Sequence, residues 1–367
     1  MSKLEQLIKE LCPNGVKDKE LHEILTIKNG SDYKGFGEGD IPVYGSGGIM
    51  TYVDTFAYNK PSVLIPRKGS IDKLYYVDTP FWNVDTIFYT DIDTTKAIPR
   101  YVYHCLLREH LEQYNTAGGV PSLTQKVLNK IKIPVPPLEV QSEIVKILDN
   151  FTELTAELTA ELTARKKQYE YYRDLLLDFG VHGGAGDCEW RTLKEIAENC
   201  DSKRKPVTKG KRTSGIYPYY GASGIVDYVD DYLFDGDYLL ISEDGANLLA
   251  RSTPIAFSIS GKNWVNNHAH VLRFDTYVTR RFVEIYLNSI NLEKYISTAA
   301  QPKLTQDNLN KIPIPYPTIE EQTRIVNILD RFDKLCNDIS EGLPAEIEAR
   351  RKQYEYYRDK LLTFKEA

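Results

Sequence analysis

The chain has 367 residues, 42% hydrophobic and 27% charged, with five scattered cysteines and a formal net charge of -6. That length leaves room for two or three domains, and the composition excludes wholesale disorder. The odd, dispersed cysteines exclude a disulfide framework and a zinc knuckle. No apolar run reaches the roughly 18 residues needed to cross a bilayer, and Met1–Glu10 lacks the apolar region of a signal peptide, which predicts a cytoplasmic protein.

Four segments follow in chain order. Residues 1–136 read as a short N-terminal helix and a β-rich domain, with many Tyr, Val and Ile residues between Gly turns. Pro134, Pro136 and Pro137 close an extended stretch, and residues 137–180 read as a helix. Its seam, Ile144, Leu148, Phe151, Thr155, Leu158 and Leu162, steps by four and three residues in the manner of a coiled coil. From Glu153 to Ala164 the helix carries a tandem four-residue unit, Thr-Ala-Glu-Leu in cyclic order. Each unit adds about 6 Å of helix, against about 3.4 Å per base pair along DNA. Residues 181–316 are β-rich again. Residues 317–367 repeat the helix, with Thr318 and Glu321 as a capping box and the seam Ile325, Leu329, Phe332, Cys336, Ile339 and Leu343. Gly342 and Pro344 interrupt this second helix, which resumes over Glu346–Phe364.

The chain is an internal duplication. Gln141-Ser142-Glu143-Ile144-Val145-Lys146-Ile147-Leu148-Asp149-Asn150-Phe151 returns as Gln322-Thr323-Arg324-Ile325-Val326-Asn327-Ile328-Leu329-Asp330-Arg331-Phe332. Gln168-Tyr169-Glu170-Tyr171-Tyr172-Arg173-Asp174 returns unchanged as Gln353-Tyr354-Glu355-Tyr356-Tyr357-Arg358-Asp359. Phe332 lies 181 positions after Phe151, and Tyr354 lies 185 after Tyr169, so the second copy holds four additional residues. The β-rich segments match only at anchors: Pro42-Val43-Tyr44-Gly45-Ser46-Gly47-Gly48 with Pro218-Tyr219-Tyr220-Gly221-Ala222-Ser223-Gly224, and Pro121-Ser122-Leu123-Thr124 with Pro302-Lys303-Leu304-Thr305. Two related helices in one chain most simply bury their seams on each other, antiparallel. Packing alone accounts for a repeated seam. It does not account for the repeated Gln168, Tyr169, Tyr171, Tyr172 and Arg173, or Gln353, Tyr354, Tyr356, Tyr357 and Arg358, a composition suited to binding the same partner twice.

Together these motifs resemble, over the full length, the specificity subunit of type I restriction-modification enzymes. The resemblance implies an α+β fold of two β-rich target recognition domains separated by two long antiparallel coiled-coil helices, with pseudo-two-fold symmetry. It implies that each recognition domain reads one half of a split asymmetric site in double-stranded DNA, across a spacer set by the helices. Two modification (methyltransferase) subunits dock on the helices and carry S-adenosylmethionine. Restriction/translocase subunits bring ATP and Mg in the full complex, and this subunit binds no cofactor itself.

The search for chemistry agrees with that picture. Pro136-Pro137 is flanked by Val135 and Leu138, so the catalytic tetrad of an adenine methyltransferase is absent, and no glycine run fits a dinucleotide or phosphate loop. No catalytic residue and no metal site is assigned. His268 and His270 share one strand face, but a third ligand is lacking. Candidate DNA contacts are Gly45, Ser46, Gly47, Arg67, Lys68 and Lys73 in the first domain. In the second they are Lys209, Lys211, Arg212, Ser223, Asn247, Arg251, Asn266, Asn267 and His268. An ordinary loop or strand-end role is the alternative for each. Two other function classes stay open: a self-sufficient nuclease or methyltransferase, and a scaffold that gathers two copies of a protein partner.

Overall fold

The computed structural model describes residues 2–115, 117–179, 188–297 and 301–367. By its internal contacts the chain forms two units, Met1–Ala160 with Ala345–Ala367, and Glu161–Pro344. The expected boundary between residues 180 and 181 lies outside the described residues.

Unit 1 opens with α1 (Lys3–Leu11), capped by Ser2 and Glu5. Then come β1 (Asp18–Glu20), β2 (Leu25–Asn29), β3 (Ile41–Gly45), β4 (Gly48–Val53), β5 (Ser62–Pro66), β6 (Tyr75–Val77), β7 (Trp82–Asn83) and β8 (Ile87–Ile92). After them follow α2 (Pro99–Arg108), α3 (Gln125–Leu128), β9 (Lys132–Pro134) and α4 (Leu138–Leu176). One sheet has the order β2-β8-β5-β6, a second β4-β3-β7, and β1 pairs with β9. Every residue of β5 is buried, as its unbroken Ser-Val-Leu-Ile-Pro sequence requires of a strand covered on both faces. Tyr101, Val102 and Cys105 of α2 pack into one core with Val63, Ile65, Ile144 and Leu148.

Unit 2 repeats this plan. Its elements are β10 (Glu189–Thr192), α5 (Leu193–Ile196), β11 (Glu198–Asn199), β12 (Ser214–Gly221), β13 (Gly224–Val229), β14 (Phe234–Asp235), β15 (Tyr238–Ser242) and α6 (Asn247–Ala250). They continue with β16 (Ala256–Ile259), β17 (Lys262–Val265), β18 (Ala269–Arg273), α7 (Tyr277–Ser289), β19 (Ile296–Ser297), β20 (Lys303–Leu304), α8 (Gln306–Leu309), β21 (Pro313–Tyr316) and α9 (Ile319–Asn337). The sheet orders are β11-β18-β15-β16 and β13-β12-β17-β14, with β10 paired to β21. Apart from β14 and an added β19-β20 pair, these are the unit 1 sheets strand for strand among the described residues. Even the irregularities coincide: a register shift falls between Val43 and Tyr44 in β3, and between Tyr219 and Tyr220 in β12. Both outcomes fit the expected α+β duplication.

The second long helix is two helices, α9 and α10 (Leu343–Leu361). Its seam is buried at Ile325, Leu329, Cys336 and Leu343 but broken at Ile339, which is 87% exposed, because α9 ends at Asn337 and Ile339 lies in the turn that follows. Asp338 holds that turn, its Oδ1 accepting from the Ser340 and Glu341 N–H groups. The helix resumes at Leu343 rather than Glu346, since Pro344 in a first turn surrenders no helical hydrogen bond. The capping box is half made. Thr318 Oγ1 accepts from the Glu321 N–H at 3.4 Å, while the Glu321 carboxylate pairs with Arg324. Each half of α4 finds its helical partner in the opposite copy. In unit 1 Phe151 stacks on Tyr357, and in unit 2 Tyr172 stacks on Phe332.

Candidate nucleic-acid interface

In unit 1 several loops converge on one rim. Ser46 and Gly47 form the two-residue turn of the β3–β4 hairpin, and Gly48 follows with φ +116°, a conformation that favours glycine. The Ser46 carbonyl accepts from the Tyr75 hydroxyl at 3.3 Å. Beyond β5, the Arg67 and Lys68 N–H groups donate to the Thr86 carbonyl at 2.8 and 3.3 Å. The Leu123 N–H donates to the Arg67 carbonyl at 2.9 Å, the Gly69 N–H donates to Pro121 at 3.0 Å, and an isolated bridge pairs Lys68 with Ser122. A Cβ on Gly69, whose φ is +83°, would stand 3.6 Å from Ser46 Oγ, so hairpin and loop adjoin. The Arg67 guanidinium lies 5.7 Å from the Phe88 ring centroid, and Lys68 is exposed.

The same backbone recurs in unit 2 with other side chains. The hairpin turn is Ala222-Ser223, followed by Gly224 at φ +128°. The Glu243 N–H donates to the His268 carbonyl at 2.9 Å, the Leu304 N–H to Glu243 at 2.8 Å, and the Gly245 N–H to Pro302 at 3.3 Å. Asp244 bridges to Lys303 as Lys68 does to Ser122. Ser242 Oγ donates to the Ala222 carbonyl at 2.5 Å, which ties the hairpin to this rim. Asn266, Asn267 and His268 stand beside it: the Asn266 side-chain oxygen accepts from the His268 N–H at 2.8 Å, and His268 Nδ1 lies 2.9 Å from both oxygens of Asp244.

Beneath this second rim is a buried charge network. His270 Nδ1 faces Asp201 at 2.6 Å and its Nε2 faces the Leu304 carbonyl at 2.8 Å. Arg204 reaches Glu243 at 2.5 Å and Asp201 at 3.3 Å, and Lys303 reaches Glu243 at 3.0 Å. Burial opposes the charge on Asp201 and Glu243. The hydrogen bonds from His270 to the first, and from Arg204 and Lys303 to the second, outweigh it, so both carboxyls lie below their ordinary values. Oxygen and nitrogen atoms of Asp201, Glu243 and His270 lie within 4.8 Å of one another, a spacing that could hold a metal ion. Arg204 already bridges both carboxylates, so the arrangement is satisfied as an ion-pair support for the loop above it.

Each unit also joins its globular part to its helix by the same pair. Arg100 Nε meets Asp149 Oδ1 at 2.8 Å, and Arg281 Nε meets Asp330 Oδ1 at 2.7 Å. Around that pair the partners differ. Asp149 also faces His104 Nε2 at 2.9 Å, and His104 Nδ1 faces the Tyr354 hydroxyl at 2.9 Å. Arg281 instead adds Glu284 and Asp333, both at 2.7 Å, while Asp330 accepts from the Tyr277 hydroxyl at 3.1 Å. The repeated Gln of the helix start is structural too: Gln141 Nε2 donates to Pro136 at 2.8 Å, and Gln322 Nε2 to Pro317 at 2.9 Å.

The family model described as the type I restriction modification DNA specificity domain matches the chain twice, over residues 13–165 and 186–349. The chain belongs to the family of type I restriction-modification DNA specificity subunits. A type I restriction enzyme specificity subunit of Haemophilus influenzae is 32% identical over 352 residues, 89% of each chain. The EcoR124I/EcoR124II specificity subunit of Escherichia coli is 37% identical over 305 residues, 75% of this chain and 73% of that one. The fold matches the S subunit of a type I restriction-modification system from M. genitalium at a TM-score of 0.64, with 16% identity and coverage of 95% and 96%. Among the described residues, no helix of this family member is long and apolar enough to cross a membrane.

Within the family frame, the predicted contact residues divide. Gly45, Ser46, Gly47, Arg67 and Lys68 gather on the first rim, with Lys73 exposed on the same loop, its N–H donating to Ser70 at 3.1 Å. Ser223, Asn266, Asn267 and His268 gather on the second. Lys209 and Lys211 lie apart on a short 3-10 turn ahead of β12, and Arg212 packs 4.2 Å over Tyr219 and pairs with Asp227 at 3.0 Å. Asn247 binds Thr253 and Ser252 within its own loop, and Arg251 donates to the carbonyls of Leu287 and Ile290 at the end of α7.

The predicted docking cluster is mostly inward-facing. Tyr169 and Tyr354 pack against the cores, Tyr172 and Tyr357 stack on the facing helix, and Arg358 is only 6% exposed. Arg173 pairs with Asp174 at 2.7 Å, and Gln168 and Gln353 accept from Arg165 and Arg350. Tyr171 and Tyr356 alone of these tyrosines stand well out, 64% and 61% exposed. Sequence reading missed Glu243, Asp244 and Lys303, and the Arg100–Asp149 and Arg281–Asp330 pairs. The signals were present: Lys303 sits inside the repeated Pro-x-Leu-Thr, and Arg100-Tyr101-Val102 matches Arg281-Phe282-Val283.

Proposed function

We propose that each rim reads one half of a split, asymmetric site in double-stranded DNA, and that the helices set the spacer and dock two modification subunits. In this reading residues 1–136 and 181–316 are the recognition domains, and residues 137–180 and 317–367 the spacers and docking posts. The chain serves recognition alone and contributes no catalytic group. S-adenosylmethionine, and ATP and Mg with the restriction/translocase subunits, are held by its partners. The observation that carries the reading is one loop framework, built twice on one helix junction, bearing different side chains each time. Equal junctions suit equal partners, and unequal rims suit unequal sequences. Tyr171 and Tyr356, the same exposed ring on the same face of each helix copy, are the parts of the docking cluster free to meet a partner.

Insertion of one Thr-Ala-Glu-Leu unit into α4 tests it. In the complex assembled with the modification subunit, methylated adenines should fall at sites whose spacer is roughly one to two base pairs longer, with both half-sites unchanged. A changed half-site would contradict the assignment of reading to the rims. Adenine methylation by the chain alone with S-adenosylmethionine would contradict the assignment of chemistry to its partners.

A further inference from the structure

The two rims place opposite chemistry on one backbone position. Four matching contacts fix the equivalence of Arg67-Lys68-Gly69 with Glu243-Asp244-Gly245. The first residue donates to Thr86 or His268 and accepts from Leu123 or Leu304, the glycine donates to Pro121 or Pro302, and the middle residue bridges to Ser122 or Lys303. Both glycines have positive φ, +83° and +106°, so the chain turns alike at both places and the middle residue meets the same surroundings.

In unit 1 that middle residue is Lys68, exposed and in no ion pair among the described residues, with Arg67 held against Phe88 beside it. At the middle position this corner offers a donor, Lys68, with the exposed carboxylate of Asp85 as the acceptor nearby. In unit 2 the middle residue is Asp244, and its carboxylate grips His268 Nδ1 through both oxygens. A carboxylate fixes the proton on the nitrogen it faces. The free atom of His268 is therefore Nε2, which in the neutral ring is an acceptor, and the side chain is 48% exposed. Asn267, exposed next to it, occupies the position of Asp85.

We infer that these corners are base-reading posts of opposite polarity: Lys68 recognises a base by its acceptor edge, guanine O6 and N7, and His268, oriented by Asp244, recognises a base by its exocyclic amine. In the major groove only guanine presents two acceptors side by side, and only adenine N6 and cytosine N4 present amines. Asp244 is a positioning residue, acting through His268. The inference rests on the reading that the rims face DNA, and adds which residue asks for which chemistry in which half-site.

The test assembles the full chain with its modification subunit and maps methylated sites for the wild type and for Lys68→Ala, His268→Ala and Asp244→Asn. Lys68→Ala should lose discrimination for guanine at one position of one half-site by roughly tenfold or more. His268→Ala should relax one position of the other half-site, where the wild type demands adenine or cytosine; the base found there decides between the two amines. Asp244→Asn should relax that same position to a smaller extent. Thermal unfolding of each variant within a few degrees of wild type confirms an intact rim; Lys68→Met replaces Lys68→Ala, and His268→Phe replaces His268→Ala, should either alanine variant unfold early. Unchanged half-sites overturn the inference, as does a uniform fall in methylation at an unaltered site, the mark of a phosphate contact, or a thymine or guanine requirement at the His268 position. A wild-type complex with no bipartite site would overturn the functional reading itself.

Discussion

The junctions and the rims of this molecule have had opposite histories. At the junction, Arg100 with Asp149 and Arg281 with Asp330 make the same bond, and Phe151 with Tyr357 and Tyr172 with Phe332 make the same stack. At the rim the backbone bonds are kept and the side chains are replaced, Lys68 by Asp244 and Thr86 by His268. Hydrogen bonds between main-chain groups hold a loop whatever side chains it bears, so a framework of them frees the surface to change. Where two elements must meet in one geometry, the side chains are the framework and cannot vary.

The most damaging way to break this comparison is at the junction. Arg281→Met leaves Asp330, Asp333 and Glu284 without their shared cation, at 17% side-chain exposure of the arginine, and should cost unit 2 about 3 kcal/mol. Arg100→Met removes one ion pair at a more exposed site and should cost unit 1 about 1 kcal/mol. Denaturant unfolding followed by amide exchange in each unit would measure both, and equal losses would show that the extra carboxylates of unit 2 add nothing.

Acid should separate the units next. Burial pushes the His104 pKa below its ordinary 6.5, against the hydrogen bond that the Asp149 carboxylate accepts from it. The unfolded chain then takes up this proton first, so the stability it guards is present above about 6.5 and is lost as pH falls through the folded value. Unit 2 has Ile285 at that position, two residues after the one matching Val102. Its Asp201 and Glu243, held below their ordinary values, fail only as pH drops under about 4. Exchange protection measured from pH 7 to pH 5 should fall in unit 1 and hold in unit 2, and His104→Gln should flatten the unit 1 response; a parallel decline would refute the assignment to His104. The smallest effect is the most symmetrical: Tyr172→Leu and Tyr357→Leu should each cost about 1 kcal/mol, and unequal losses by the same exchange measurement would argue that the two stacks are not equivalents.

Much of this architecture could be read from the sequence because duplication supplies its own alignment. The spacing located a buried face at Ile144, Leu148, Ile325 and Leu329, but these residues belong to the cores of the globular parts and not to a seam between the two helices alone. Ile339 broke the pattern because heptad spacing continues through Asp338-Ile339-Ser340, whereas the Asp338 carboxylate captures the following N–H groups and ends the helix. Naming Arg212 a DNA contact for its charge did not reveal its pair with Asp227, since charge composition carries no information on partners. The acidic second rim was overlooked for a related reason: a search for DNA contacts by positive charge passes over Glu243 and Asp244, which are meaningful only once aligned with Arg67 and Lys68. Tyr169 and Tyr354 looked like surface residues because a repeated polar motif suggests a partner outside, when their partners lie inside.

The tandem tetrapeptide of α4 has a further geometric consequence. A helix turns about 100° per residue, so four added residues complete one revolution and overshoot by about 40°, while three or five would swing the following face by about 60° or 140° the wrong way. Among insertions of one to six residues, four displaces the face of the following residues least. A single unit is thereby the mildest short change in the length of this rod, while a second unit brings the accumulated rotation to about 80°, a limit set by helix pitch and independent of any sequence the chain helps to read.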